Sequence, residues 1–219
     1  MAEPRYGLLV FDWDGTLVDS TGAIVECILG ASRDMGLPAS DPASARYSIG
    51  LGMVDALRVA VPSLPAERYR EFAAHYRKHF VSLEDRMAVF EGMPQLLAEL
   101  RDRGYLIAIA TGKGRRGLDR ALHNTGLGEY FTSSRCADET SPKPHPAMLH
   151  ELMAELAQRP ERTLMIGDTS HDMQMASNAD VDGVGVSYGA HSEESLLASH
   201  ARACVSSVQQ LRSWLTTNA

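Results

Sequence analysis

Short apolar runs alternate with amphipathic stretches along most of this chain. From residue 88 onward, runs such as 105–110 and 163–166 have the length and apolar character of buried strands, and the stretches between them carry apolar residues at helical spacing. This alternation is typical of βα units around a parallel sheet. We therefore predict an α/β fold with a Rossmann-like parallel sheet flanked by helices. The predicted strands are 105–110, 131–136, 163–166 and 183–186, the predicted helices are 93–103, 115–125, 146–157, 171–179 and 193–199, and the stretches 203–206 and 208–215 close the series.

A first strand at residues 7–11 is separated from this series by about 70 residues of different character. Residues 18–85 contain no convincing strand, whereas 24–35, 53–61 and 66–80 carry apolar residues at helical spacing. The simplest interpretation is a smaller all-helical cap domain inserted after the first strand, over the end of the sheet. We predict a Rossmann-like core of residues 1–17 and 86–219 and a cap of residues 18–85. Such lids exclude water and select substrates.

Composition excludes several classes of protein. With 44% hydrophobic and 22% charged residues and no apolar run of membrane-spanning length, we expect a cytoplasmic protein without a membrane partner. Residues 1–6 are too polar for a secretory signal. The net charge of −7 argues against a nucleic-acid partner. Cys27, Cys136 and Cys204 are odd in number and lack a CxxC pair, so they predict neither a disulfide framework nor a zinc site.

Four segments place polar residues at the predicted carboxyl ends of strands, where open parallel sheets bind ligands. Each alone has an ordinary explanation, such as a turn at Asp14, a helix cap at Asp168 or a solvated loop at Lys143. The segments are Asp12 with Asp14, Thr111 with Gly112, Lys143 ahead of Pro146, and Asp168 with Asp172.

The acidic members of these segments together suit phosphoryl transfer. Three side chains, those of Asp12, Asp168 and Asp172, with the backbone carbonyl of Asp14, offer the hard oxygen ligands that Mg²⁺ prefers. The metal would reduce the repulsion between the Asp12 carboxylate and an incoming phosphate. We expect Asp12 to act as the nucleophile and to carry an aspartyl phosphate. Asp14 would give a proton to the leaving oxygen and then take one from the attacking water.

The other members would bind the phosphate group. The Thr111 hydroxyl and the Gly112 backbone amide are suited to hydrogen bonds with phosphate oxygens, and Lys143 would counter their charge. The sequence therefore predicts catalytic, metal and phosphate-binding residues at one edge of the sheet.

These segments resemble, in order, the four motifs of the haloacid dehalogenase superfamily: 12–17, 111–112, Lys143 with Pro144 and Pro146, and 167–172. A helical insertion directly after the first motif is similar to the type called a C1 cap, and the chain looks most like phosphoglycolate phosphatases and their relatives. The resemblance implies a Rossmann-like core, Mg²⁺ dependence, Asp12 as nucleophile and Asp14 as acid/base. We accordingly expect a small phosphorylated metabolite as partner, with phosphoglycolate favoured, and a monomer or homodimer.

The chain also departs from relatives of this type. Dehalogenases of the superfamily lack the second acid, so Asp14 favours phosphate chemistry. A phosphonate-cleaving relative would need a cap lysine that forms a Schiff base. The cap contains one lysine, Lys78, and its charged helical segment favours a solvated side chain instead. Asp180 stands where relatives usually carry glycine. Trp13 replaces a smaller apolar residue, and by alternation its side chain should point away from the two carboxylates.

Several alternatives remain open at this point. Gly112, Gly114 and Gly117 form a GxGxxG pattern with Asp138 further on, as a dinucleotide site requires, although the arginines at 115–116 are bulky where a pyrophosphate must approach. An inactive binding module has little support, because no reacting position is substituted. The core residues do not separate a phosphatase from a pyrophosphatase, a nucleotidase or a sugar-phosphate mutase.

The cap is expected to decide the substrate. A small turn at residues 46–52, with two flanking glycines, is the predicted substrate-facing segment. Arg46 in this turn would suit a substrate carboxylate, and an exposed arginine near a helix end is an equally good interpretation.

Overall fold

A parallel sheet of six strands forms the centre of the molecule, in a computed structural model that describes residues 4–219. Its strand order is β5-β4-β1-β6-β7-β8, and every neighbouring pair is parallel. Helices cover both faces, which confirms the predicted α/β class. The strands are β1 (Leu8–Phe11), β2 (Val18–Asp19), β3 (Ala88–Val89), β4 (Leu106–Thr111), β5 (Ser133–Cys136), β6 (Thr163–Gly167), β7 (Asp182–Val186) and β8 (Ala203–Val205).

The helices follow the strands in the order that the apolar pattern predicts, and the helix at 115–125 has the predicted bounds. Short 3₁₀ turns join several of them. The helices are α1 (Thr21–Asp34), α2 (Pro42–Tyr47), α3 (Met53–Ala60), α4 (Tyr69–Leu83), α5 (Met93–Asp102), α6 (Arg115–Thr125), α7 (Ala147–Glu155), α8 (Ser170–Asn178), α9 (Glu193–Ala198) and α10 (Val208–Asn218).

Strand β1 lies in the middle of the sheet because all four of its side chains are apolar and can be buried on both faces. Leu9 and Phe11 pack in one apolar cluster with α5 and α10, and Leu8 and Val10 pack in a second cluster with α7 and α8. Phe11 is in register with Ile109 of β4 and Ile166 of β6. The carboxyl ends of β1, β4 and β6 therefore lie side by side.

Helices α1 to α4 pack on one another around an apolar cluster that includes Ile28, Leu57 and Phe72, and Ala190 of the core joins this cluster. We predicted no strand within residues 18–85, and this is wrong for Val18–Asp19. These two residues form β2, in which Val18 pairs with Val89 of β3 in an antiparallel ribbon. A two-residue strand is too short to produce an alternating pattern. The ribbon joins the two places where the chain passes between core and cap, and the boundaries at 17/18 and 85/86 stay a prediction.

Helix α2 was not among the predicted helices. Its start is specified locally, since the Asp41 side chain accepts hydrogen bonds from Ala43 N at 3.2 Å and Ser44 N at 3.0 Å, and Pro42 occupies the first turn. Pro42 is therefore part of this helix start.

Two unusual residues fit the fold without disturbing the sheet. Asp180 adopts the left-handed conformation, with a φ of 56°, in the turn before β7, and a short polar side chain tolerates this region. Trp13 is buried in the apolar cluster that also holds Phe11 and Leu17. Among residues 4–219, the helices all fall short of the length and apolar character that a membrane span requires.

Candidate active site

Three predicted carboxylates and the predicted lysine meet at the carboxyl edge of the sheet. The Lys143 ammonium lies 2.6 Å from Asp12 Oδ1 and 2.7 Å from Asp172 Oδ1. One oxygen each of Asp12, Asp168 and Asp172 lies within 4.8 Å of the other two. All four residues are at most 1% exposed. Residues that are up to 160 positions apart in the chain thus form one buried cluster.

The start of α8 fixes Asp172. Thr169 caps the helix and forms a capping box with Asp172, whose Oδ2 accepts hydrogen bonds from Thr169 N at 3.0 Å and Thr169 Oγ1 at 2.6 Å. The other oxygen is left to face Lys143. A side chain at Gly167 would collide with the Asp172 carboxyl group, since a Cβ there would lie 2.3 Å from Asp172 Cγ. Glycine is therefore required just before Asp168.

Asp168 is held by two donors from different parts of the core. Its Oδ2 accepts a hydrogen bond from Ala190 N at 2.7 Å, and its Oδ1 accepts one from Thr16 Oγ1 at 3.0 Å. Burial raises the pKa of Asp168 well above its usual value, and the charges of Asp12 and Asp172 raise it further, against these hydrogen bonds.

The pKa of Asp12 is raised to about 7. Burial is the main cause of the rise, the Lys143 charge opposes it, and the Asp172 charge adds to it. For Lys143, burial lowers the pKa, but the carboxylates of Asp12 and Asp172 outweigh burial and the net shift is upward. We infer that the ammonium of Lys143 stays charged and is shared by two carboxylates.

This cluster fits a hard divalent cation. Three buried carboxylates lie together with one buried ammonium, which contacts two of them, so the group has an excess of negative charge. Asp12 Oδ2 is buried and has no hydrogen-bond partner among the described residues. Because a buried acceptor without a partner is costly, this oxygen points to a missing ligand of positive or electrophilic character. Carboxylate oxygens are the ligands that Mg²⁺ prefers.

The Asp14 carboxylate lies outside this group of three, and the role of the Asp14 backbone carbonyl as a metal ligand stays a prediction. Its Oδ2 is 2.9 Å from Lys113 Nζ, and its Oδ1 accepts a hydrogen bond from Ser20 Oγ at 2.7 Å. Ser20 precedes α1 but does not cap it, because its hydroxyl is used on Asp14. The structure thus gives the Asp14 carboxylate two firm partners of its own.

Thr111 is the last residue of β4, which lies next to β1, and Gly112 follows it. Thr111 is buried, and its Oγ1 accepts a hydrogen bond from Lys113 N at 3.2 Å. A Cβ at Gly112 would lie 2.5 Å from the carbonyl oxygen of Gly50 and 2.6 Å from that of Leu51. The predicted substrate-facing turn of the cap therefore lies directly against the predicted phosphate-binding glycine.

Residues 9–186 match the family model described as haloacid dehalogenase-like hydrolase. The chain belongs to this family. The hydrolase is 35% identical over 210 residues to the probable phosphatase IndB of Dickeya dadantii, covering 93% of this chain and 91% of the relative. It is 32% identical over 187 residues to a phosphoglycolate phosphatase of Pectobacterium atrosepticum, covering 83% of this chain and 80% of the relative. These similarities confirm the predicted class of phosphatase.

The fold of the hydrolase recurs among solved structures. It superposes on a hydrolase from Pseudomonas syringae with a TM-score of 0.89, at 22% identity, covering 97% of this chain and 99% of the other. At this level of identity the likeness supports the fold alone.

The dinucleotide alternative disagrees with the geometry of the GxGxxG segment. Asp138, the acidic residue of that pattern, accepts a hydrogen bond from Arg115 N at 2.9 Å at the start of α6. A Cβ at Gly114 would lie 2.8 Å from Asp138 Oδ2, so the acid closes the helix start where a pyrophosphate would bind. Gly112 and Gly114 instead permit the close packing of this loop in the hydrolase.

The contact between cap and core uses two histidines that sequence reasoning missed. The carbonyl of Tyr47, the last residue of α2, accepts hydrogen bonds from His171 Nε2 at 2.9 Å and His191 Nε2 at 3.2 Å. The Tyr47 ring stacks on His191 with centroids 4.9 Å apart. Arg46 Nη1 lies 3.4 Å from the Gly189 carbonyl, so the predicted substrate-facing arginine reaches the core at this contact. No spacing in the sequence marks His191 as a partner of the cap.

Lys113 is the other residue that sequence reasoning did not select. Its signal was weak but present, because the chain has three lysines and this one directly follows the Thr111–Gly112 pair. Together with Asp14 it lines a cavity of about 480 Å³ between core and cap.

Proposed function

We propose that the hydrolase is an Mg²⁺-dependent phosphatase that cleaves a small phosphomonoester through an aspartyl phosphate on Asp12. The observation that carries this proposal is the state of the Asp12 carboxylate. One of its oxygens is held 2.6 Å from Lys143, and the other is buried without a partner among the described residues. An oriented carboxylate with a free oxygen is what nucleophilic attack on phosphorus requires.

The reaction divides into two displacements at phosphorus. In the first, the free Asp12 oxygen forms a bond to phosphorus while the ester P–O bond breaks, and Asp14 gives its proton to the leaving oxygen. In the second, water attacks phosphorus, the bond to Asp12 breaks, and a proton of that water returns to Asp14. The net products are an alcohol and inorganic phosphate, and both aspartates regain their starting state.

Charge at the site supports these steps. Asp12, Asp168 and Asp172 would hold Mg²⁺, which when bound supplies a positive charge against the repulsion between nucleophile and phosphate. Lys143 keeps the Asp12 side chain oriented and adds a second positive charge. Thr111 and Gly112 are proposed to donate hydrogen bonds to phosphate oxygens.

Similarity favours phosphoglycolate as substrate, and the enclosure of the site supports a small leaving group. The four clustered side chains are at most 1% exposed, and the cap turn contacts Gly112. A substrate therefore enters when the cap moves off the core and is enclosed when the cap closes again.

The nucleophile is tested by Asp12→Asn. We expect phosphate release to fall at least about 10³-fold, because an amide oxygen does not form the covalent intermediate. The matched control is Asp180→Asn, the same change at an exposed turn, which should keep full activity. Retention of a tenth of the parent rate in a folded Asp12→Asn variant would contradict the proposal.

The metal is tested by chelation. Removal of divalent metal should abolish activity, and added Mg²⁺ should restore it.

The substrate is tested by initial rates with Mg²⁺ over phosphoglycolate, pyrophosphate, nucleoside monophosphates and hexose phosphates. A preference for phosphoglycolate is expected. Preference for pyrophosphate or nucleotides would move the assignment to those activities, and isomerisation of a hexose phosphate without phosphate release would identify a mutase.

A further inference from the structure

Lys113 connects Asp14, the proposed proton-transfer residue, with the cap. Its ammonium lies 2.9 Å from Asp14 Oδ2, and the two side chains are 13% and 12% exposed. The same ammonium lies 4.9 Å from the centroid of the Phe80 ring, which belongs to cap helix α4. A cation over an aromatic face is attracted by the ring electrons, and partial burial strengthens this attraction.

The stem of Lys113 is fixed as well. Its backbone N–H donates to Thr111 Oγ1 at 3.2 Å, and the preceding residue, Gly112, is in contact with the carbonyls of the cap turn. Both ends of Lys113 are thus set by the docked cap: the backbone through the turn at Gly50, and the ammonium through Phe80.

We propose that Lys113 is a positioning residue that makes the placement of the Asp14 carboxylate depend on the docked position of the cap. This inference rests on the proposed function, in which Asp14 transfers the proton. A carboxylate held by Lys113 on one oxygen and by Ser20 on the other has a single orientation. Small misplacements of a reacting group lower rates steeply, by about 10²-fold for 1 Å. Lys113 touches neither Asp12 nor the carboxylate cluster in any contact of the described residues, so it acts through Asp14.

The leaving group distinguishes this role from a purely structural one. Phosphoglycolate releases an alkoxide, which needs a proton as it departs, whereas acetyl phosphate releases a carboxylate, which does not. The two substrates are similar in size. Hydrolysis of the aspartyl phosphate is common to both substrates, so the first displacement is measured by itself, as release of the leaving group in a single turnover. We expect Lys113→Met to slow this step about 30-fold to 100-fold for phosphoglycolate and less than about 3-fold for acetyl phosphate, in the range that proton transfer contributes.

Two further variants keep the test interpretable. Lys113→Arg keeps the charge and should recover most of the loss on phosphoglycolate. Phe80→Leu keeps an apolar side chain but removes the aromatic face, and should produce a smaller loss with the same preference for acetyl phosphate. Lys78→Met is the matched control, since Lys78 is an exposed lysine on α4, the cap helix that carries Phe80. This variant should leave the rates with phosphoglycolate and with acetyl phosphate unchanged.

The double variant Asp14→Asn with Lys113→Met should be no slower on phosphoglycolate than Asp14→Asn alone. Equal losses on both substrates, full activity of Lys113→Met, or additive losses in the double variant would each overturn the inference. If Asp12→Asn is inactive while Lys113→Met behaves like the parent, the positioning role fails and the proposed function stands. If Asp12→Asn is active, the proposed function fails first.

Discussion

Single residues at the carboxylate cluster are arranged for function at the expense of stability. Asp12, Asp168 and Asp172 are buried around one ammonium, and burial raises the pKa of Asp168 and of Asp12. A carboxylate whose pKa is higher in the folded than in the unfolded state destabilises the fold at high pH, where it must stay ionised. Residues placed for binding and catalysis commonly carry such a cost.

Asp168→Asn should therefore stabilise the metal-free protein while removing its response to Mg²⁺. The amide oxygen can accept from Ala190 N and the amide nitrogen can face Thr16 Oγ1, so both hydrogen bonds have a replacement. Thermal unfolding in chelator at pH 8 should show a higher Tm for the variant, by about 2–4 °C for each 1 kcal/mol gained. The advantage should shrink as pH falls, because the parent Asp168 then takes up a proton.

Added Mg²⁺ should reverse the order of stability. A ligand that binds only the folded state stabilises the parent by about 2.7 kcal/mol at a hundred times its Kd, and the variant should gain little. An unchanged Mg²⁺ shift in Asp168→Asn would mean that this carboxylate is not part of the metal site.

Among elements, the turn between α2 and α3 lies against the glycine that follows β4, Gly112. Gly112→Ala should push this turn off the core, because the added Cβ would meet the backbone carbonyls of Gly50 and Leu51. Backbone atoms yield less easily than the end of a flexible side chain. We expect kcat/KM to fall about tenfold or more, with faster hydrogen exchange at residues 48–52 and little change in the unfolding of the core.

Gly117→Ala is the matched control for this prediction. Gly117 belongs to the same glycine pattern, but it lies in α6 and a Cβ there meets nothing within 4 Å. Alanine is the better helix former by about 1 kcal/mol, so this variant should be as active as the parent and somewhat more stable. Equal exchange rates at 48–52 in the two variants would show that the turn tolerates the Gly112 methyl group.

How far the sequence predicts this molecule depends on how local each signal is. Helix α6 was predicted with its correct bounds, because Gly114 and Gly126 flank a continuous amphipathic stretch. The ribbon β2–β3 was not predicted, because its two strands have two residues each and pair with each other from opposite ends of the cap segment. Asp12 and Asp168 were predicted to meet because both follow apolar strands of one parallel sheet. The partners of Asp14 depend on how the cap docks, and no local pattern encodes that contact.

For the whole molecule, the docking of the cap on the core governs access to the site. The cap's contact with the core at Tyr47 combines the hydrogen bonds from His171 and His191 to the Tyr47 carbonyl with stacking of the Tyr47 ring on His191. His191 Nδ1 accepts a hydrogen bond from Ser170 N at 2.9 Å, so its proton is on Nε2, which donates to the Tyr47 carbonyl. This arrangement requires a neutral imidazole. Contacts of this kind separate more easily than an apolar core.

Docking of the cap should weaken as pH falls. Burial lowers the pKa of His171 and of His191, and for His191 the neighbouring His171 and Arg46 lower it further, whereas the Tyr47 carbonyl and Asp172 act in the opposite direction. The docked state therefore binds fewer protons than the undocked state, in which these groups return towards their ordinary pKa of about 6.5. Docking is fully favoured above that pH and is lost progressively below it.

Hydrogen exchange at residues 46–52 should accelerate between pH 7.5 and pH 5.5, after correction for the intrinsic pH dependence of exchange, while exchange in β1 and β6 stays slow. His191→Asn, whose side-chain oxygen can still accept from Ser170 N, should show a shallower pH dependence, and His150→Asn, the same change at an exposed position of α7, should behave like the parent. A pH-independent exchange rate in the parent, or the same slope in all three proteins, would rule out these histidines as the groups that couple docking to pH.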